Sequence, residues 1–185
     1  MMKRPGLRLA AAVVIQFLLL LGLLGFKQYA VLTGETVILR VQPIDPTDLF
    51  RGDYVTLTYD ISRLQTSQLD GDDYFRHGGR IYVELVKDDP YWQPVAVYSD
   101  RHQEHKPSVV VKGKLSDYSS SGGYGTLTVE YGIEDIFVPE DTGQAIQRLT
   151  RRSGNLGVEV KVDRWGNGIA RRLLLDGEPY KFGRR

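Results

Sequence analysis

The sequence predicts a mainly β chain: an N-terminal transmembrane helix, then a duplicated β-sandwich or partly closed barrel of about eight strands with one or two short helices. Three observations carry that prediction. Residues 9–26 form an almost uninterrupted apolar run, the rest of the chain is broken into short apolar or alternating segments, and those segments recur in order along the chain. With 185 residues the chain suits one compact domain or two very small ones.

The apolar run LAAAVVIQFLLLLGLLGF has Gln16 as its one polar side chain and is bracketed by Arg8 and Lys27. As a continuous helix it would rise about 27 Å, close to the roughly 30 Å hydrocarbon core of a bilayer. A cleaved signal peptide is the alternative. The run is longer than the usual apolar region of about 7–15 residues, and FKQYAVLTG offers no small-residue cleavage pair. Lys3, Arg4 and Arg8 precede the run, so the positive-inside rule predicts a cytoplasmic N-terminus over residues 1–8, an anchor over 9–26 and an extracytoplasmic β-domain over 27–185. For a bacterial chain this means the cytoplasmic (inner) membrane, with the bilayer as a partner of residues 9–26.

Beyond the first 26 residues the chain holds 21 basic against 23 acidic residues, which gives no electrostatic footprint for nucleic acid. It has no cysteine, which removes thiol catalysis, disulfide frameworks and Cys-based zinc sites. No glycine pattern for nucleotides and no serine elbow occurs, so neither a cofactor nor a catalytic set is expected. His102, Glu104 and His105 sit close together in RHQEHK, but before a proline and without metal-protease spacing. They read as a loop, and no metal site is expected. Serines in DYSSSGGYG, residues 117–125, read as a flexible connection.

Several segments of the chain recur in the same order. TVILRVQPI at 36–44 aligns with SVVVKGKLS at 108–116. GDYVTLTY at 52–59 aligns with GGYGTLTV at 122–129, and a slip of two residues then pairs Tyr59-Asp60-Ile61 with Tyr131-Gly132-Ile133. VELVKDDPYWQPVAVYS at 83–99 resembles VEVKVDRWGNGIARRLLL at 158–175. Two internal repeats follow, about 35–100 and 107–176, related by a pseudo-two-fold axis. Within them, apolar runs predict strands at 36–41, 80–86, 94–98, 108–111, 156–162 and 169–175, and period-two alternation predicts one at 124–131. Asp88-Asp89-Pro90 and Asn167-Gly168 mark hairpin turns. PEDTGQAIQRLTRR at 139–152 predicts a helix of about three turns, and SRLQTSQLDGDDY at 62–74 a partial one.

The stretch RGDYVTLTYDI predicts a strand over 53–61. Its parity puts Val55, Leu57, Tyr59 and Ile61 on a core face, and Tyr54, Thr56, Thr58 and Asp60 on the other. Asp45 and Pro46 fit the start of a preceding helical turn, and Gly52 gives the swing into the strand.

Gly52, Asp53, Tyr54, Leu57 and Tyr59 match the five fixed positions of the GDYXXLXY family of bacterial membrane-anchored proteins, which the chain resembles. YGIEDIFVPE at 131–140 resembles that family's second characteristic stretch. The resemblance implies a membrane setting and a multi-spanning membrane protein as partner, but no reaction. It therefore supports a single-pass, non-catalytic accessory protein. Its contact surface would be Tyr54, Thr56 and Thr58, or the hairpin aromatics Trp92 and Trp165. Alternatives are an envelope small-ligand or glycan binder using a cleft between the halves, and an acid-dependent hydrolase pairing Asp53 with Glu130 or Glu134. Asp53 has a backbone-bonding reading as well, and the second repeat aligns Gly123 with it.

Overall fold

The computed structural model describes residues 12–23, 25, 33–42, 54–101, 107–121, 124–137 and 155–180. The chain divides into two units, Met1–Gly34 and Glu35–Arg185. In the first, residues 12–23 are helical, and their apolar side chains stand about half to two-thirds exposed.

No helix among the described residues is long and apolar enough to cross a membrane. The continuous helical stretch at 12–23 rises about 18 Å, against the roughly 30 Å of a bilayer core. The transmembrane helix predicted over 9–26 is therefore not supported. Residues 9–11, 24 and 26 of the apolar run lie outside the described residues.

The second unit contains twelve described strands rather than about eight, arranged in three sheets. A four-stranded sheet is formed by β1 (Glu35–Arg40), β10 (Leu156–Val162), β11 (Gly168–Leu175) and β12 (Glu178–Pro179). A two-stranded sheet joins β2 (Tyr54–Thr56) to β9 (Asp135–Phe137). The six-stranded sheet has the order β3 (Arg63–Gln65), β8 (Tyr124–Glu130), β7 (Ser108–Ser121), β5 (Arg80–Asp88), β6 (Tyr91–Tyr98), β4 (Asp70–Gly71). Val37, Leu39 and Val158 of the first sheet and Val83, Leu85 and Val111 of the third belong to one buried cluster, so the sheets share a core.

The two repeats are interleaved. The first strand of repeat one, β1, pairs with β10 of repeat two, and the first strand of repeat two, β7, pairs with β5 of repeat one. Registers correspond as well. Thr36 faces Lys161, while Ser108, 72 places after Thr36, faces Val86, 75 places before Lys161. The motif strand of each repeat pairs with the short strand of the other: Val55 faces Ile136, and Leu127 faces Leu64, each 72 places apart from its counterpart. Even the bulges match, lying between Glu84 and Leu85 and between Glu159 and Val160. A bulge at the same place in both hairpins gives them the same local twist.

This register corrects the sequence alignment of the motif. Offset 70, suggested by the shared Thr-Leu-Thr letters, pairs Leu57 with Leu127, whereas the strand pairing equates Leu57 with Val129 and Tyr59 with Tyr131. The predicted strand 53–61 is also interrupted. β2 ends at Thr56, the Leu57 amide donates to the Glu134 carbonyl at 2.8 Å, Tyr59 bridges to Val41, and a 3-10 turn follows at Asp60–Ser62. The chain changes partner mid-motif, so one continuous ladder cannot form. Core parity is nevertheless kept: Val55, Leu57, Tyr59 and Ile61 are buried.

Ser119–Ser121 belong to β7, which pairs with β8 as far as Ser121 facing Tyr124, so the predicted flexible connection is largely strand. At the β10–β11 turn the left-handed residue is Gly166, with φ 85°, and Gly168 already lies in the strand. Asp163 closes that turn by accepting from the amides of Trp165 and Asn167, both at 2.8 Å. In place of a helix at 62–74 there are 3-10 turns at Asp60–Ser62 and Thr66–Gln68 around β3. The predicted helix at 139–152 and the turn at Asp45–Pro46 lie outside the described residues.

Two buried hydroxyls tie the repeats together. Tyr59 Oη donates to the Ile133 carbonyl at 2.6 Å, and Tyr131 Oη donates to the Ile61 carbonyl at 2.7 Å. Removing either hydroxyl leaves a buried carbonyl without its donor, at about 1–3 kcal/mol. Urea unfolding of Tyr59→Phe and Tyr131→Phe should show losses of that size. The double variant should depart from additivity, because both bonds cross the same junction.

Candidate functional site

The motif strand reaches the surface at Thr56. Its Oγ1 donates to Asp135 Oδ1 at 2.7 Å, linking the motif to the stretch at 131–137. Thr56 lies on the rim of an open groove of about 690 Å³. Arg80, Lys112 and Lys114 line it from β5 and β7, and Glu130, Glu134 and Asp135 line it from the end of β8 and the start of β9. Gly113 is the floor where Tyr131 packs: a Cβ there would come within 3.2 Å of the Tyr131 ring and 2.4 Å of Val129 Cγ1.

Each acid has a readable position. Glu134 Oε1 accepts the Tyr131 amide at 2.6 Å, and in the other repeat Ser62 Oγ accepts the Tyr59 amide at 3.1 Å. The two side chains close equivalent turns, so Glu134 has a structural partner before any chemistry is asked of it. Burial raises the Tyr131 hydroxyl well above the usual tyrosine value, with the Glu134 charge adding to it. Tyr59 is raised in the same way by burial first, then by Glu134 and Asp135. Both phenols therefore stay protonated donors across the physiological range.

Of the sequence-predicted contact residues, Thr56 stands exposed at the groove. Thr58 is half-buried, and its carbonyl accepts the Gln42 amide at 2.8 Å. Tyr54 lies in β2 opposite Phe137. Trp92 is 7% exposed within the core, so its ring offers no contact surface. Trp165 is half-buried, with the Arg164 guanidinium 4.2 Å above its ring. The two tryptophans are not equivalent, because Trp92 pairs with Lys87 where the second hairpin pairs Gly168 with Val162. Leu57 and Tyr59 are core. Gly52 and Asp53 lie outside the described residues, as do His102, Glu104 and His105. Among the described residues no group of His, Cys, Asp or Glu is arranged to hold a metal ion.

Sequence reading missed the basic side of the groove. The signal was available in Lys112-Gly113-Lys114, where two lysines flank a glycine on a strand. A second, smaller pocket of about 340 Å³ lies by Arg40 and Tyr91, with the Arg40 guanidinium 4.7 Å from the ring centre and its Nε buried without a hydrogen-bond partner.

The motif's last two fixed positions are therefore core, and its terminal tyrosine is bonded into the second stretch. The sequence pattern of the GDYXXLXY protein family matches residues 16–173. The chain belongs to that family. No curated protein and no solved structure matches it. In the GDYXXLXY chain, the described part of the motif thus passes Thr56 at the groove rim and ends in the tyrosine junction.

Two outcomes follow from this geometry. Because the buried phenols are held neutral, their stabilisation is complete below the unfolded-state value of about 10 and declines as pH rises above it. Unfolding free energy should fall by about 1.4 kcal/mol per pH unit for each of the two tyrosines above pH ~10. Urea titrations at pH 8 to 11 should show that fall, flattened in the Tyr59→Phe, Tyr131→Phe double variant. Glu134→Gln keeps an acceptor for the Tyr131 amide and should unfold near the wild-type midpoint, whereas Glu134→Ala should cost about 1–2 kcal/mol.

Proposed function

We propose that this protein is a non-catalytic accessory module that binds another protein through the Thr56 groove, at the bacterial cytoplasmic membrane. The observation that carries this reading is the groove itself. Thr56 of the family motif is exposed on its rim, and exposed residues of both charge signs line it. Charge-complementary surfaces of this kind select and orient protein partners.

The proposed partner is an integral membrane protein. Support comes from the first unit, whose described helix exposes Val13, Val14, Ile15, Phe17, Leu18 and further leucines. An apolar surface of that extent suits packing against other apolar helices. A second reading, a small-ligand module, has the Arg40–Tyr91 pocket in its favour. The interleaved repeats weigh against a ligand cleft between the halves, since buried side chains fill that junction.

Site-specific photocrosslinking in intact cells tests the proposal. A crosslinker at Thr56 should trap one defined integral membrane polypeptide, while the same group at exposed Tyr74, outside the groove, should not. Lys114→Glu should reduce the yield at Thr56 several-fold. Equal products from both positions, or none of integral membrane type from Thr56, would contradict it.

A further inference from the structure

Three charges on the outer face of the six-stranded sheet form a row that the fold does not require. Arg80, Lys114 and Glu130 are successive cross-strand partners on β5, β7 and β8, so all three project from the same face. Neighbouring strands lie about 4.8 Å apart, which sets the spacing of the row. Lys114 and Glu130 face each other, yet among the described residues neither they nor Arg80 form an ion pair. Across the groove from the row stands Asp135, held by Thr56.

The matching registers of the two repeats supply an internal control. The positions equivalent to Lys114, Glu130 and Asp135 are Gln42, Thr58 and Arg63, each 72 places earlier, and Asn155 replaces Arg80. The same backbone is therefore built on the other side with neutral or opposite residues. The charges belong to this groove rather than to the architecture.

Their exposure points to the kind of ligand. Small-molecule sites enclose the ligand, whereas this groove is open and carries charged side chains of both signs along its lining. Resting on the reading of the groove as the partner's site, we infer that it takes an extended peptide segment bearing one acidic and one basic residue separated by a single residue. The acid sits between Arg80 and Lys114, and the base reaches Glu130 and Asp135. The centre of the Arg80–Lys114 pair lies about one and a half strand spacings, roughly 7 Å, from Glu130. Side chains two residues apart on an extended peptide share a face at about 6.7 Å, so the two spacings agree.

Fluorescence anisotropy with the full-length protein tests this directly. Four labelled Gly/Ser-flanked nonapeptides would carry Glu-Thr-Lys, Glu-Thr-Thr, Thr-Thr-Lys or Thr-Thr-Thr at the centre. The mixed-charge peptide should bind at least tenfold tighter than either single-charge peptide, and should weaken as salt is raised. Arg80→Glu combined with Lys114→Glu changes only exposed side chains, and unchanged thermal unfolding confirms that the variant is folded. It should abolish the preference for the mixed peptide and favour the Lys-only one. Binding of all four within twofold, no binding of any, or a preference that survives the double charge reversal would overturn the inference. Should these peptides fail while Thr56 still crosslinks a membrane protein, the peptide chemistry falls and the partner site stands.

Discussion

The exchange of hydrogen bonds between Tyr59 and Tyr131 is the constraint around which the β-domain is organised. Each hydroxyl crosses to the carbonyl two residues beyond the other tyrosine, so neither turn is complete without the opposite repeat. The strands on either side follow from that. β2 pairs with β9 and β3 with β8 in matching registers, and the outer hairpins pair with the first strand of the opposite repeat. Burial of both rings, with Tyr59 fully inaccessible, makes the bonds costly to leave unmade. Ser62 and Glu134 then close the two turns from inside their own repeats.

Much of this was legible in the sequence, and what was not has identifiable causes. Period-two alternation placed Val55, Leu57, Tyr59 and Ile61 on the core face because a strand's parity survives even where its pairing partner changes. Apolar runs located β1, β5, β10 and β11. Pairing Tyr59 with Tyr131 by a two-residue slip found the junction. Interleaving was not legible, since nothing local says which repeat a strand will join. Similar letters at offset 70 concealed the register of 72, because Thr-Leu-Thr alternation fits either shift while only one aligns the tyrosine hydroxyls. Tryptophans that looked equivalent lie in a core strand and in a turn. A run of serines reads as loop by composition, yet pairing with β8 satisfies its backbone. At the N-terminus, apolar content over 9–26 suggested a span that the described helix does not supply.

For the site, sequence reasoning had named Thr56 as a contact residue and Glu130 and Glu134 as candidate acids, and it missed Arg80, Lys112, Lys114 and Asp135. The motif suggested a surface made of one strand face. The candidate site lies where the two repeats differ and not where they agree. What they share, the tyrosines, bulges and strand registers, builds the domain. Glu134 shows how the two overlap, because a carboxylate on the groove also does the turn-closing work that a serine does in the other repeat. Lys114, Glu130 and Asp135 have no such structural counterpart.

The two repeats complete each other and do not form separate lobes. Expressing residues 35–106 and 107–185 as separate chains tests this interdependence most directly, with amide NMR spectra recorded for each alone and for the mixture. Neither piece should show dispersed native signals as a monomer, and mixing should restore the spectrum of the intact domain. A dispersed, monomeric native-like spectrum from either piece alone would contradict it.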